Sequence, residues 1–190
     1  MKKFIFFYFL ISVSLTENIM EEKSIILGGG CFWCLEALFN RLDGVTSVQS
    51  GYSGGTEKNP SYKTVCSGTT GHAEVVKISY DSSKIKLEQI LDFFWTIHDP
   101  TTLNRQGADI GTQYRSIALY SNDAEMKIIL DSKDAAESSK MYPNPIVTEI
   151  KLLENFYLAE DYHQDYYELN SEAPYCRFVI KPKIEKILKK

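Results

Sequence analysis

Positive charge is in short supply: 21 lysine and arginine residues face 25 aspartate and glutamate residues, a formal net charge of −4 over 190 residues. The basic footprint that phosphate neutralisation requires is missing, which argues against nucleic acid as a partner. Cysteine is scarce too, and four thiols are too few for a disulfide scaffold in a chain long enough to bury its own core. No internal repeat and no Pro/Gly/Ser-rich linker divides the sequence, so one domain is expected over residues 21–190. The N-terminal apolar run, Phe4 to Leu15, is 12 residues long including Ser12 and Ser14. A bilayer-spanning helix needs about 20. With Lys2 and Lys3 ahead of it, segment 1–20 has the shape of a secretory signal peptide. An uncleaved membrane anchor and a buried N-terminal strand are the other readings. The protein is accordingly expected to be exported (periplasmic or secreted) or anchored by its N-terminus, with a cytoplasmic location as the alternative.

The remaining pattern predicts an α+β fold of sheet on one side and helices on the other. Ser24–Leu27 reads as a strand that runs into Gly28-Gly29-Gly30, and a helix follows from about Cys31, with Phe32, Leu35, Leu38, Phe39 and Leu42 at helical spacing. Val45–Tyr52 is a second strand and Ser53–Gly71 a long loop. A strand at Glu74–Tyr80, an amphipathic helix at Leu87–His98 and an irregular stretch at Asp99–Gln113 come next. Then come a strand at Tyr114–Tyr120, a helix from a capping box at Asn122 and Glu125 to about Ser138, and a strand near Ile146–Leu152. A Tyr-rich segment and a lysine-ended tail close the chain, with Phe178–Ile180 reading as a packed strand.

Cys31 lies where a strand, three glycines and a helix start meet. Unpaired N–H groups and the positive end of the helix dipole there favour a thiolate, so its pKa is expected well below the free value of about 8.5. Only one of Phe32 and Trp33 can face the core, which leaves the other to line an apolar pocket. Cys34 completes a Cys-x-x-Cys pair that is ambiguous between redox and metal chemistry. Zinc needs four ligands, and Cys66 and His72 do not form a second tight pair, so no metal is expected. Period two places Glu74 on the same face as Val76, Ile78 and Tyr80, where desolvation would raise its pKa and make it a proton donor; a solvated Glu just off the strand end is the competing reading. Tyr62, Asp109 and Tyr114 lie in or beside the irregular segments, where polar side chains can converge.

Gly30-Cys31-Phe32-Trp33, Ser61-Tyr62, Gly68-Thr69-Thr70-Gly71-His72-Ala73-Glu74, Gly107-Ala108-Asp109-Ile110-Gly111-Thr112-Gln113-Tyr114-Arg115-Ser116 and Ala159-Glu160-Asp161-Tyr162-His163-Gln164 together resemble the A-type peptide methionine sulfoxide reductases, over about residues 24–180 and in the same order. The resemblance implies a ferredoxin-like two-layer domain that reduces the S epimer of methionine sulfoxide, free or in oxidised proteins. It implies Cys31 as nucleophile, Glu74 as proton donor aided by Tyr62 and Tyr114, and a methyl pocket of Phe32 and Trp33 shaped in part by Asp109. A sulfoxide oxygen is a poor leaving group until protonated, and the product on the enzyme is a Cys31 sulfenic acid. A second thiol then forms a disulfide; Cys34 is expected by proximity, with Cys176 the alternative and Cys66 unassigned. The implied enzyme is a monomer with no bound cofactor, reduced by an external thioredoxin-like dithiol. A general Cys-x-x-Cys thiol–disulfide oxidoreductase and a binding module with an aromatic pocket are the competing functions.

Overall fold

The structure, a computed structural model, describes residues 21–188; the N-terminal apolar segment lies outside them. A six-stranded sheet is built from β1 (Glu22–Gly28), β2 (Val45–Ser53), β3 (Ala73–Asp81), β6 (Ile117–Tyr120), β7 (Glu149–Leu152) and β8 (Phe156–Leu158), in the spatial order β7-β6-β1-β3-β2-β8. All neighbours run antiparallel except β6 and β7. Two short strands, β4 (Arg105–Gln106) and β5 (Asp109–Ile110), pair separately. The helices are α1 (Phe32–Phe39), α2 (Tyr62–Cys66), α3 (Leu87–Ile97), α4 (Asp123–Ser138), α5 (Tyr166–Leu169) and α6 (Lys181–Leu188).

Strand alternation divides the interior in two. Ile25 and Leu27 of β1 and Val76, Ile78 and Tyr80 of β3 face the main core, together with Leu35, Leu38 and Phe39 of α1 and Ile90, Leu91 and Phe94 of α3. Ile26, Ala73, Val75, Ile117 and Leu119 form a smaller cluster on the opposite face. Each fully buried Leu, Ile or Phe contributes about 1.5–3 kcal/mol, so the α1–sheet contact is strong enough to fix the helix against the strands. Trp95 of α3 donates to Ser132 Oγ of α4 at 2.8 Å, which ties those two helices together. Asn122 caps α4 by accepting from Glu125 N at 3.0 Å, while the Glu125 carboxylate accepts from Ser121 N rather than from Asn122.

The structure corrects four expectations. The long loop at 53–71 contains α2, whose Ser61–Thr64 capping box was hidden in a polar run. The strand expected from Tyr114 starts at Ile117, because Thr112–Tyr114 form a 3₁₀ turn. The strand expected from Ile146 starts at Glu149. Phe178–Ile180 are not a strand: Cys176–Ile180 make a π-helical turn that leads into α6, burying Cys176 and Ile180 and exposing Phe178. The C-terminal stretch is therefore a docked helix rather than a tail, and Cys176 is fully buried within it.

Candidate active site

The end of β1 and the start of α1 meet in a space too tight for side chains. A Cβ on Gly28 would stand 2.7 Å from the Glu74 carbonyl oxygen, and Gly30 has φ +97°, a left-handed conformation that only glycine adopts without strain. Tyr114 O accepts from Gly30 N at 3.1 Å and holds the turn. The glycines thus bring the first residues of α1 against β3, where Glu74 faces the helix. Its Oε2 accepts from Phe32 N at 3.1 Å, so a carboxyl 42 residues away satisfies an N–H at the helix start. Its Oε1 is buried and has no hydrogen-bond partner among the described residues. Glu74 is 1% exposed, and burial pushes its pKa up to about 8 despite the Phe32 N–H; the nearby Asp109 charge pushes the same way. A neutral carboxylic acid with one oxygen committed to the backbone and the other free is a positioned proton donor.

This burial has a measurable consequence for stability. Between about pH 4.5 and pH 8 the folded protein holds a Glu74 proton that the unfolded chain has lost, so stability falls as pH rises through that window, by at most about 1.4 kcal/mol per pH unit. Glu74→Gln has no charge to desolvate. It is expected to melt above the parent at pH 8 and level with it near pH 4.5, as thermal unfolding across that range will measure.

Cys31 is the N-cap of α1, and Cys34 N donates to Cys31 O at 3.1 Å, so the two thiols share the first helical turn. Against the expected acidification, the surroundings of Cys31 favour its neutral form. Burial pushes its thiol well up, the hydrogen bond to Cys34 and the Glu74 charge add to that, and the one N–H that favours the thiolate, from Trp33, is outweighed. The Phe32 N–H that could have helped is taken by Glu74. Cys34 receives the benefit instead: the Cys31 thiol donates to it and brings it down to about 7 against its own burial, with Lys183 assisting.

Around this pair stands an aromatic wall. Phe32 is buried, whereas Trp33 is half-buried, with its ring 3.6 Å from that of Tyr166 and parallel to within 7°. Trp33 Nε1 donates to His163 Nδ1 at 3.1 Å. Tyr62, the first residue of α2, stacks on Phe32 with centroids 6.5 Å apart, and Tyr114 closes the 3₁₀ turn. Burial first and the Glu74 charge second push both phenols up, so both stay protonated donors. Asp109 on β5 accepts from Tyr175 Oη at 2.8 Å, and that hydroxyl lies 3.6 Å from Cys34 Sγ. Of the candidate site residues, Cys31, Phe32, Trp33, Cys34, Tyr62, Glu74, Asp109 and Tyr114 belong to this one cluster; Cys176 is buried in the core, Cys66 is exposed on α2, and His72 stands apart, its ring accepting from Gly55 N at 3.1 Å.

Sequence reasoning gave no individual role to the residues that brace the wall. Glu160 accepts from Tyr52 Oη at 2.7 Å and from Tyr62 N at 2.9 Å, fixing α2 to the sheet. His163, Tyr166 and Tyr175 hold Trp33 from three sides. The run Ala159–Gln164 was the only signal for the first two of these, Glu160 and His163, and Tyr166 and Tyr175 were lost among 12 tyrosines. Among the described residues, no group of three or more His, Cys, Asp or Glu converges to hold a metal ion.

Comparison with known proteins places this geometry in context. A family model described as peptide methionine sulfoxide reductase matches residues 23–190. The peptide methionine sulfoxide reductase MsrA of Leptospira borgpetersenii serovar Hardjo-bovis (strain L550) is 54% identical over 170 residues, covering 90% of this chain and 94% of that protein. The MsrA of Saccharolobus solfataricus is 56% identical over 163 residues, covering 86% and 91%. Among solved structures, Mxr1 from Saccharomyces cerevisiae in reduced form is similar with a TM-score of 0.77 at 39% identity, covering 88% of this chain and 96% of that one. The same yeast protein in complex with Trx2 gives a TM-score of 0.55 at 27% identity, covering 81% and 91%.

Proposed function

The chain belongs to the peptide methionine sulfoxide reductase family, and on that premise we propose how its own residues reduce methionine S-sulfoxide, free or in proteins, to methionine. The observation that carries the assignment of roles is the divided Glu74 carboxyl, one oxygen held by Phe32 N and the other buried and unpartnered at the same helix start as Cys31. The substrate methyl group packs against Phe32 and Trp33, and Tyr62 and Tyr114 donate hydrogen bonds to the sulfoxide oxygen. Cys31 Sγ attacks the sulfoxide sulfur as Glu74 protonates that oxygen, and the thiol proton returns to Glu74. In balance, sulfoxide and Cys31 thiol give methionine and Cys31 sulfenic acid, with the S–O bond passing from substrate to enzyme. The sulfenic acid and the Cys34 thiol then give a Cys31–Cys34 disulfide and water. Asp109 acts on the pocket by holding Tyr175.

A thiol–disulfide oxidoreductase would use the Cys pair without needing an aromatic methyl pocket or a proton donor toward a sulfoxide oxygen. Incubating the reduced protein with a methionine sulfoxide compound, with no reductant added, separates the two: one equivalent of methionine is expected, and none would refute the proposal. Peptide mapping of the same sample is expected to find Cys31 linked to Cys34. Cys34→Ser should still release its first methionine and then accumulate sulfenic acid, read by a dimedone-type trap. A dominant Cys31–Cys176 linkage would move the second thiol to the C-terminal helix.

The disulfide is recycled by a thioredoxin-like dithiol, a reading supported by the yeast relative seen with Trx2. The order β6-β1-β3-β2 within the sheet supports the ferredoxin-like description of the central four strands. Segment 1–20 supports export, and N-terminal sequencing of the mature protein tests it.

A further inference from the structure

A second buried carboxyl takes no part in the chemistry above. Glu36 is the only charged residue within α1, in the run FWCLEALF, and is 1% exposed among otherwise apolar neighbours. Its Oε1 accepts from Ser50 Oγ of β2 at 3.2 Å, and its Oε2 accepts from Tyr166 N at 3.2 Å. Tyr166 is the first residue of α5. It follows Asp165, which has φ 51°, a left-handed conformation unusual for a side chain other than glycine. The turn into α5 is therefore one the backbone does not favour by itself. The Glu36 carboxylate receives the N–H that this turn presents to the core. Gln164, just before it, is clamped to Ser50 through Ser50 N and Ser50 O, each at 3.0 Å. The Tyr166 ring that emerges from this seat is the one stacked on Trp33.

We propose that Glu36 is a positioning residue for the reductase: by anchoring the Asp165–Tyr166 turn it sets the Tyr166 ring against Trp33, and so fixes the wall of the substrate methyl pocket. The inference rests on the role given to Trp33 under the proposed function. It assigns to Glu36 an effect on substrate affinity and none on the chemical step.

The environment of the carboxyl makes the role visible to pH. Burial pushes Glu36 up to about 7, and the N–H groups of Asp165 and Tyr166 and the Ser50 hydroxyl hold it from rising further. The elements packed against α1 bring several charged and titratable groups. β2 supplies Tyr52, β3 supplies Glu74 and Tyr80, and the segment through α5 supplies Glu160, His163, Asp165 and Glu168. The C-terminal turn supplies Cys176 and Arg177. Of these, Asp165 raises Glu36, and Glu168 is engaged by Arg41 at 2.6 Å. Below pH 7 the carboxyl gains a proton, becomes a weaker acceptor for Tyr166 N, and loosens the seat. Above pH 7 the seat is tight.

The test uses the full chain and two readouts. The first, made in a Cys34→Ser background that removes the other group titrating near 7, is Trp33 emission, taken as the difference with and without Trp33→Phe and followed from pH 5.5 to 8.5. A transition near pH 7 is expected in that background. It should vanish in Glu36→Gln and move to higher pH in Ser50→Ala, which removes a donor from the charged form. The second is steady-state kinetics, in which Glu36→Gln is expected to raise KM by about five- to tenfold with kcat within twofold. Should Glu36→Gln not fold, Ser50→Ala decides by the direction of its transition. An unchanged transition in either variant, or a Glu36→Gln that lowers the melting temperature while leaving KM intact, overturns the proposal. If the parent itself releases no methionine, the proposed function fails, and the emission arm still decides whether Glu36 positions Trp33.

Discussion

Cys31→Ser is expected to lower methionine release by at least on the order of 10⁴-fold, to the limit of detection in single turnover. A serine hydroxyl fits the same N-cap position, so the helix start and the pocket should survive. The chemistry cannot. An alcohol oxygen is a far poorer nucleophile than sulfur, and the oxygen counterpart of a sulfenic acid is an alkyl hydroperoxide, too strong an oxidant for a sulfoxide to form. The variant should still bind methionine sulfoxide, which the emission of Trp33 in the pocket wall can report. Substantial turnover by Cys31→Ser would remove Cys31 from the mechanism altogether.

The second large effect is expected at Glu74. Glu74→Gln keeps an oxygen for Phe32 N and so keeps the helix cap, but it has no proton to give. Formation of the sulfenic acid should slow by about a hundredfold or more, the usual size of a general-acid contribution. The pH profile carries the sharper distinction. In the parent, the rate of the first step should fall as pH rises through about 8, where Glu74 loses its proton. In the variant that limb should be absent. Rapid single-turnover mixing across pH 6–10 measures both, and an unchanged rate and profile would leave Glu74 a cap and nothing more.

Glu74 was legible in the sequence because its evidence is local: a strand has period two, and one carboxyl fell on the apolar face. The same holds for the helix behind Cys31 and for the amphipathic stretch at Leu87–Ile97. What escaped depended on contacts distant in the chain. The Cys31 thiol was misjudged because the dipole argument counts the N–H groups at a helix start without knowing that Glu74 has claimed one of them, or how completely the site is buried. The start of β6 was misplaced because Tyr114 has strand-like chemistry, yet its turn is fixed by Gly30 and Gly111. The C-terminal helix was misjudged because Phe178-Val179-Ile180 is β-branched and aromatic in composition, while Cys176 and Ile180 bury one side of a helical turn. Glu36 carries no local mark in the sequence, because its partners, Ser50 and Tyr166, are distant in the chain.

The four thiols divide exposure and ionisation between them in a way that protects the resting protein. Cys34 ionises near neutrality but is covered. Cys66 is open to solvent, yet desolvation and nearby carboxylates keep it protonated beyond the usual thiol range. Cys31 and Cys176 are both buried and raised. No single sulfur is at once accessible and anionic at pH 7, which is what stray electrophiles require. In the resting fold the thiol that ionises near neutrality, Cys34, is thus the covered one, and the solvent-facing one, Cys66, is the one held protonated.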